Sequence, residues 1–218
     1  MNTIDLRPVF PPVRDQGVRG TCVAFAVTAA HEFARSAPGG SIEDLSEETL
    51  YWNCKQLDGD QQQGTSFNSA SNVLQHAGQP PEAEWHYDGF RDENDGTYLP
   101  PEGALDHHIC FRTMLLKVPA NAQQIKDCLA NGQPVILGIP TFNSFIMAPS
   151  GRVPMPAVTE AESGGHAVLV VGYDEDPVNG NWLIFRNSWG EGWGIEGYGY
   201  LPYDYIHQYI GEAWTVHQ

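Results

Sequence analysis

At 218 residues the chain is long enough to bury about 70% of the surface it exposes when unfolded, as one globular domain or two small lobes. Hydrophobic residues are 41% and charged residues 17%, too apolar for a disordered tail, and no apolar run approaches the roughly 18 residues that span a bilayer. A balance of 11 basic against 27 acidic side chains leaves a net −16, a field that repels phosphate backbones and anionic lipid, so neither nucleic acid nor membrane is expected as a partner.

The first residues, Met1 to Pro12, carry Asp5 and Arg7 and several prolines but no apolar stretch of signal-peptide length, so the expected location is cytoplasmic, with delivery as an effector left open. The 4 cysteines, Cys22, Cys54, Cys110 and Cys128, form no C-x-x-C pair. They signal neither a zinc ribbon nor a dense disulfide framework. With 23 glycines and 16 prolines, many turns and much irregular chain are expected.

In chain order, the segment from Cys22 to about Arg35 (CVAFAVTAAHEFAR) is apolar around most of a helical circumference and predicts a centrally buried helix. Thr21 is its expected N-cap, which places Cys22 in the first turn. A second helix is expected from Ser46 through Lys55, with Glu47 and Glu48 in the first turn where the macrodipole favours them. A third runs from Ser66 to Ala77 and ends at Gly78. From about Pro80 to His107 the chain reads as a long irregular connection. The second half is mainly strands, at Val135 to Ile139, His166 to Tyr173 and Trp182 to Asn187. It holds one helix near Ala122 to Ala130, with Asn121 and Gln124 in capping-box positions. The acidic run Asp174 to Asp176 reads as a solvated hairpin tip. An α+β chain with segregated lobes follows.

A cysteine opening an apolar helix is ordinarily an inert core thiol. A helix N-terminus, however, presents unpaired amide donors and a positive end, which stabilise a thiolate. Gln16, six residues upstream, offers a side-chain amide donor, and a thiolate with such a donor is the start of an oxyanion site. A thiol nucleophile wants a base. His166 sits at the start of an apolar strand, GGHAVLVVGY, where glycines on its N-terminal side leave room for a ligand. Asn187 then ends the strand of NWLIFRNSWGEGWG and is placed to orient an imidazole, with the adjacent Trp189 indole as a shield. Taken singly, the histidine reads as structural and the asparagine as a turn cap.

Together and in this chain order, VRDQGVRGTCVAFA, GGHAVLVVGY and FRNSWGEGWGIEGYGYL resemble the nucleophile, histidine and asparagine segments of the papain-like cysteine peptidases. The resemblance covers nearly the whole chain, and His166 follows Cys22 within the interval of roughly 130 to 150 positions expected for them. It implies a papain-like α+β fold: a helical lobe over about 12–105 carrying the nucleophile, and a β-rich lobe from 1–11 and 106–218 carrying the histidine and asparagine, with the active-site cleft between them. Carried over by position, Cys22 is the nucleophile, His166 the base, Asn187 the residue orienting the imidazole, Gln16 an oxyanion donor beside the Cys22 amide, and Trp189 the cover. QQQGTSFNSASNVLQHAG resembles the substrate loop, so Gly64 and Thr65, with Gly165 beside the histidine, are the expected substrate contacts. The implied reaction is hydrolysis of a peptide or protein substrate through a thioester, with no metal or organic cofactor. The same triad suits an amidase, isopeptidase or acyl transferase, and a silent member would keep the fold as a binding module.

The departures carry information as well. Arg19 stands where secreted members have a structural cysteine, so that disulfide cannot form, and Cys54, in the helix of its lost partner, is expected as a buried thiol. Missing bridges suit a reducing compartment. The chain begins near the mature-enzyme start of the family, so a member without a prosegment is expected. The segments 88–107 and 145–162 depart most from the family pattern, and substrate specificity is expected there. Asp106-His107-His108-Ile109-Cys110 lacks a spaced partner group for a structural zinc, and Asp92 to Gly96 lacks the Glu a calcium loop requires.

Overall fold

The computed structural model describes residues 2–36, 40, 42–106, 109–148, 150–178 and 180–217. The histidines 107 and 108 weighed above as metal ligands lie outside the described residues. The chain divides into two compact units, Met1–Asp15 with Leu116–Thr215 and Gln16–Leu115 with Val216–Gln218.

The second of these is helical. Helix α1 (Cys22–Arg35) buries every residue from Val23 to Glu32, which is why its sequence is apolar on all sides rather than along one stripe. Its three buried polar residues are satisfied locally: Thr28 Oγ1 accepts from Gln79 Nε2, His31 Nδ1 bonds Gln79 Oε1 and Glu32 accepts from the Leu45 amide. Helix α2 (Glu47–Asp58) is capped by Ser46, whose hydroxyl accepts from the Thr49 amide, and closes on Gly59 in the left-handed conformation. Helix α3 (Phe67–His76) is capped by Ser66 in the same way. These side-chain caps take up amides that the first turn leaves without an intrahelical partner. Apart from one 3-10 turn at Glu82–Glu84, the described residues from 80 to 106 form no helix or strand, as their Pro, Gly and Asp content predicts.

The other unit is built on strands. In order along the chain come β1 (Asn2–Asp5), β2 (Leu115–Val118), α4 (Ala122–Ala130), β3 (Val135–Phe142), α5 (Asn143–Ile146), β4 (Glu162–Asp176), β5 (Gly180–Arg186), β6 (Tyr198–Pro202), α6 (Tyr203–Tyr209) and β7 (Glu212–Val216). Among the described residues the strands form one sheet in the order β2-β7-β3-β4-β5-β6, and β1 adds to β4. All the pairings of β3, β4 and β5 with their neighbours are antiparallel. Strand β4 is the spine: its first half pairs with β3 and its last residues with β1, while β5 takes the other edge. Gly172 permits this, since a Cβ there would meet the Ile4 carbonyl oxygen at 2.3 Å.

From His166 to Tyr173 every residue of β4 is buried, so the strand reads as a continuous apolar run instead of an alternating one. The core of the unit includes Leu137, Ile139, Val168, Val170, Phe185 and Leu201, each fully buried side chain of this size contributing about 1.5–3 kcal/mol. The helix at α4 forms with Asn121 accepting from the Gln124 amide, but the Gln124 side chain turns to Asp127 instead of completing a box. Strand β4 continues through Asp176, so Asp174 to Asp176 are strand residues and not a hairpin tip. Glu175 there accepts from Lys126 and Asn2. No helix among the described residues is long and apolar enough to cross a membrane.

Candidate active site

The residues expected to carry chemistry fall into one set in each unit. In the β-rich unit, His166 lies in β4 and Asn187 immediately after β5, with the Asn187 amide donating to the Gly197 carbonyl. His166 Nε2 and Asn187 Oδ1 are 2.8 Å apart, and the same Oδ1 accepts from the Ser188 amide at 2.9 Å. An oxygen that accepts from a backbone N–H cannot be exchanged for the amide nitrogen, so the Asn187 side chain has one orientation. His166 Nε2 must therefore donate, which leaves Nδ1 as the ring's proton acceptor. His166 is 8% exposed. Burial pushes its pKa down to about 4, against the opposing effect of the hydrogen bond that it donates to Asn187, so the free imidazole is neutral at physiological pH.

Aromatic rings fix the imidazole from two sides. Trp189 stacks on it with centroids 4.7 Å apart and planes inclined by 27°. Phe145 meets it edge-on at 6.0 Å and packs at 5.8 Å against Trp189 and 5.9 Å against Trp193. Trp193 Nε1 in turn donates to the Ile146 carbonyl. An imidazole so enclosed is held by packing and keeps water from its stacked face. Phe145 and Trp193 were not anticipated as site residues. Trp193 lies inside the same Trp-Gly run as Trp189, which was a usable signal. Phe145 falls in the segment with least family pattern, in a four-residue helix too short to show periodicity. Gly165 pairs with Pro140 of β3, one residue before His166, and a Cβ on it would meet nothing within 4 Å.

In the helical unit, Cys22 is the first residue of α1 and half-buried. Thr21 precedes it as expected but does not cap with its side chain. Its hydroxyl lies 2.7 Å from the Tyr87 hydroxyl instead, so the first-turn amides are left uncapped by it. Gln16 is buried, and its Nε2 donates to the Arg19 carbonyl at 2.7 Å. Gly20 abuts the loop after α2, since a Cβ on it would sit 3.1 Å from the Gly64 nitrogen. The loop holding Gly64 and Thr65 thus lies against the turn that precedes Cys22. The Gly64 amide donates to Tyr51 Oη and its carbonyl accepts from Lys55 Nζ. Thr65 turns its hydroxyl to Asp58. All 4 cysteines are thiols. Cys54 is fully buried, and desolvation pushes its pKa up to about 12, which makes it inert at neutral pH.

The sequence pattern described as papain family cysteine protease matches residues 2–211, and the chain belongs to that family. Xylellain, a cysteine protease from Xylella fastidiosa, is 30% identical, superposes with a TM-score of 0.84 and is matched over 98% of this chain and 85% of its own. Cathepsin J of Rattus norvegicus is 32% identical over 193 residues, 86% of this chain and 55% of the relative. A peptidase C1-like protein of Acanthamoeba polyphaga mimivirus is 29% identical over 207 residues, 88% of this chain and 64% of the relative. The chain therefore spans just over half to about two thirds of the length of these two relatives.

Proposed function

We propose that the chain is a cysteine peptidase that cleaves peptide bonds in peptide or protein substrates through a Cys22–His166–Asn187 triad. The observation that carries this reading is the 2.8 Å contact between His166 Nε2 and Asn187 Oδ1, which turns Nδ1 into the acceptor a thiol nucleophile requires. Transfer of the Cys22 proton to Nδ1 gives a thiolate and an imidazolium. The charge of each offsets the burial that keeps isolated His166 neutral. The helix N-terminus adds a positive end at the sulfur.

The thiolate attacks the scissile carbonyl carbon, the new C–S bond pushing the carbonyl pair onto oxygen. Collapse of that oxyanion expels the amine, which takes the proton from Nδ1 and leaves a thioester. Water then attacks the thioester as His166 takes its proton, and the thiolate departs with release of the acid. Gln16 keeps one amide N–H on the Arg19 carbonyl; its second N–H, with the Cys22 amide, is assigned to the oxyanion. Trp189 covers the His–Asn bond and strengthens it by excluding water. Thr65, through its backbone, is assigned to pair with an extended substrate, in preference to Gly64, whose two backbone groups are engaged.

The test is intact-mass analysis after treatment with a peptidyl epoxide from pH 4 to 9, beside His166→Ala, under reducing conditions. A single adduct on Cys22, formed well below the free-thiol pKa of about 8.5 and slowed in the variant, is expected. Labelling of Cys22 that ignores both pH below 8 and His166 would overturn the assignment.

A further inference from the structure

The turn from Gln16 to Thr21 is held by a set of contacts within the helical unit. Tyr87 Oη lies 2.7 Å from the Gln16 carbonyl oxygen and 2.7 Å from Thr21 Oγ1. A carbonyl only accepts, so the Tyr87 proton goes to Gln16 and the Thr21 hydroxyl donates back to Tyr87. One phenol thereby joins the two ends of the turn. Between them, Gly17 adopts φ +63° and passes so close to the backbone of residue 89 that a Cβ would meet the Gly89 oxygen at 2.2 Å. The Val18 amide donates to that oxygen.

Arg19 anchors the turn from beneath. It is 1% exposed, and each of its five N–H donors has a partner. Nη1 reaches Glu48 Oε2 at 2.5 Å and the Asp88 carbonyl, Nη2 reaches Glu48 Oε1 at 3.0 Å and Tyr98 Oη, and Nε reaches Asn94 Oδ1. The guanidinium also lies 5.0 Å from the centroid of the Tyr87 ring. The Arg19 backbone oxygen is the acceptor that fixes Gln16 Nε2. A buried side chain with every donor fixed cannot shift without leaving a charge unpaired, so the carbonyl that aims Gln16 is as immobile as the ion pair.

We propose that Arg19 and Tyr87 are positioning residues for the oxyanion donors: the Arg19–Glu48 pair and the Tyr87 hydroxyl set the Gln16 amide relative to the backbone of Cys22. The proposal rests on the peptidase reading above. It separates two properties of the site, because a small alkylating agent needs only an activated thiolate, whereas amide hydrolysis also needs the oxyanion donors.

Tyr87→Phe keeps the ring and removes the hydroxyl. Its kcat on a peptide amide is expected to fall about tenfold or more, part of the hundredfold or greater cost of deleting an oxyanion donor. KM and the rate of Cys22 alkylation by iodoacetamide should stay within about twofold. The double variant R19M/E48Q removes both charges and avoids the unpaired buried ion that a single substitution leaves; with a far-UV circular dichroism spectrum like the wild type's, it should show the same split. If either folded variant lost hydrolysis and alkylation by the same factor, or lost neither, the proposal would be overturned. Failure of the peptidase reading itself is distinct: the wild-type protein would then show neither peptide turnover nor enhanced alkylation of Cys22.

Discussion

Each unit buries a histidine, and in each the desolvation of the ring pushes the pKa down to about 4. His31 in α1 is 1% exposed and donates from Nδ1 to Gln79 Oε1, because Gln79 Nε2 is committed to Thr28 Oγ1 and the Ser46 carbonyl. That ring is one member of a hydrogen-bonded network tying α1 to the cap of α2. His166 donates from Nε2 to an asparagine and is stacked on an indole. The two sites share burial, an amide partner and a depressed pKa, yet only one belongs to a motif that reads as chemistry. A depressed histidine pKa is therefore a weak pointer to a base, and the Asn187 partner and stacked indole around His166, set in a motif that reads as chemistry, are a stronger one.

The comparison breaks most visibly in activity. His166→Ala is expected to lower kcat/KM on a peptide substrate by about a thousandfold or more, since it removes both the base and the acid of the proposed cycle. His31→Gln should leave kcat/KM within about twofold while lowering the unfolding midpoint, because a buried hydrogen bond contributes about 1 kcal/mol. Equal losses of activity in the two variants would erase the distinction between the sites.

Stability against pH sharpens the same contrast. A histidine kept neutral by burial has a folded pKa below its unfolded value of about 6.5, so the unfolded chain takes up the proton first. Its contribution is complete above about pH 6.5 and is lost as the pH falls through that value toward 4. For His31 the interval corresponds to about 3 kcal/mol of stability lost by pH 4. Urea unfolding of His31→Gln at pH 7 and pH 4 should show a decline smaller than the wild type's by about that amount. The same decline in both proteins would mean that His31 is not held neutral in the fold.

What was legible in the sequence was what is local. Helices α1 and α4 begin and end where periodicity and capping residues place them, and the apolar centres of β3, β4 and β5 were visible as short runs. Strand β1 is mostly exposed and four residues long, and β6 and β7 are five each; such segments become strands through pairing with distant neighbours, which no local pattern records. In the same way Cys22, His166, Asn187 and Trp189 carry signatures in their own segments, but the supports of the site do not. Arg19 was readable only as the absence of a disulfide cysteine, and Glu48 only as a favourable charge at a helix start. Their bidentate pairing depends on Asp88, Asn94 and Tyr98, drawn from the stretch that reads as irregular. Where the family resemblance implies a disulfide, this chain holds the turn with a buried ion pair whose every donor is engaged.

The smallest effect expected concerns Asn187, and it tests what the amide does for His166. In Asn187→Ala the imidazole keeps its contacts with Trp189 and Phe145, so the ring stays in place and only the preference for the Nε2–H tautomer is lost. A net hydrogen-bond contribution of about 1 kcal/mol corresponds to a fall in kcat of roughly fivefold to tenfold, with KM unchanged. Asn187→Asp keeps an acceptor facing Nε2 but adds a negative charge, which favours the imidazolium and should move the acid limb of the kcat/KM profile to higher pH. The alanine variant loses the hydrogen bond that opposes burial, so it should lower the plateau and shift that limb, in the opposite sense to the aspartate, toward lower pH. If it moved the limb as the aspartate does, or lost activity as completely as His166→Ala, aromatic packing would not be what seats the imidazole, and Asn187 would hold it alone.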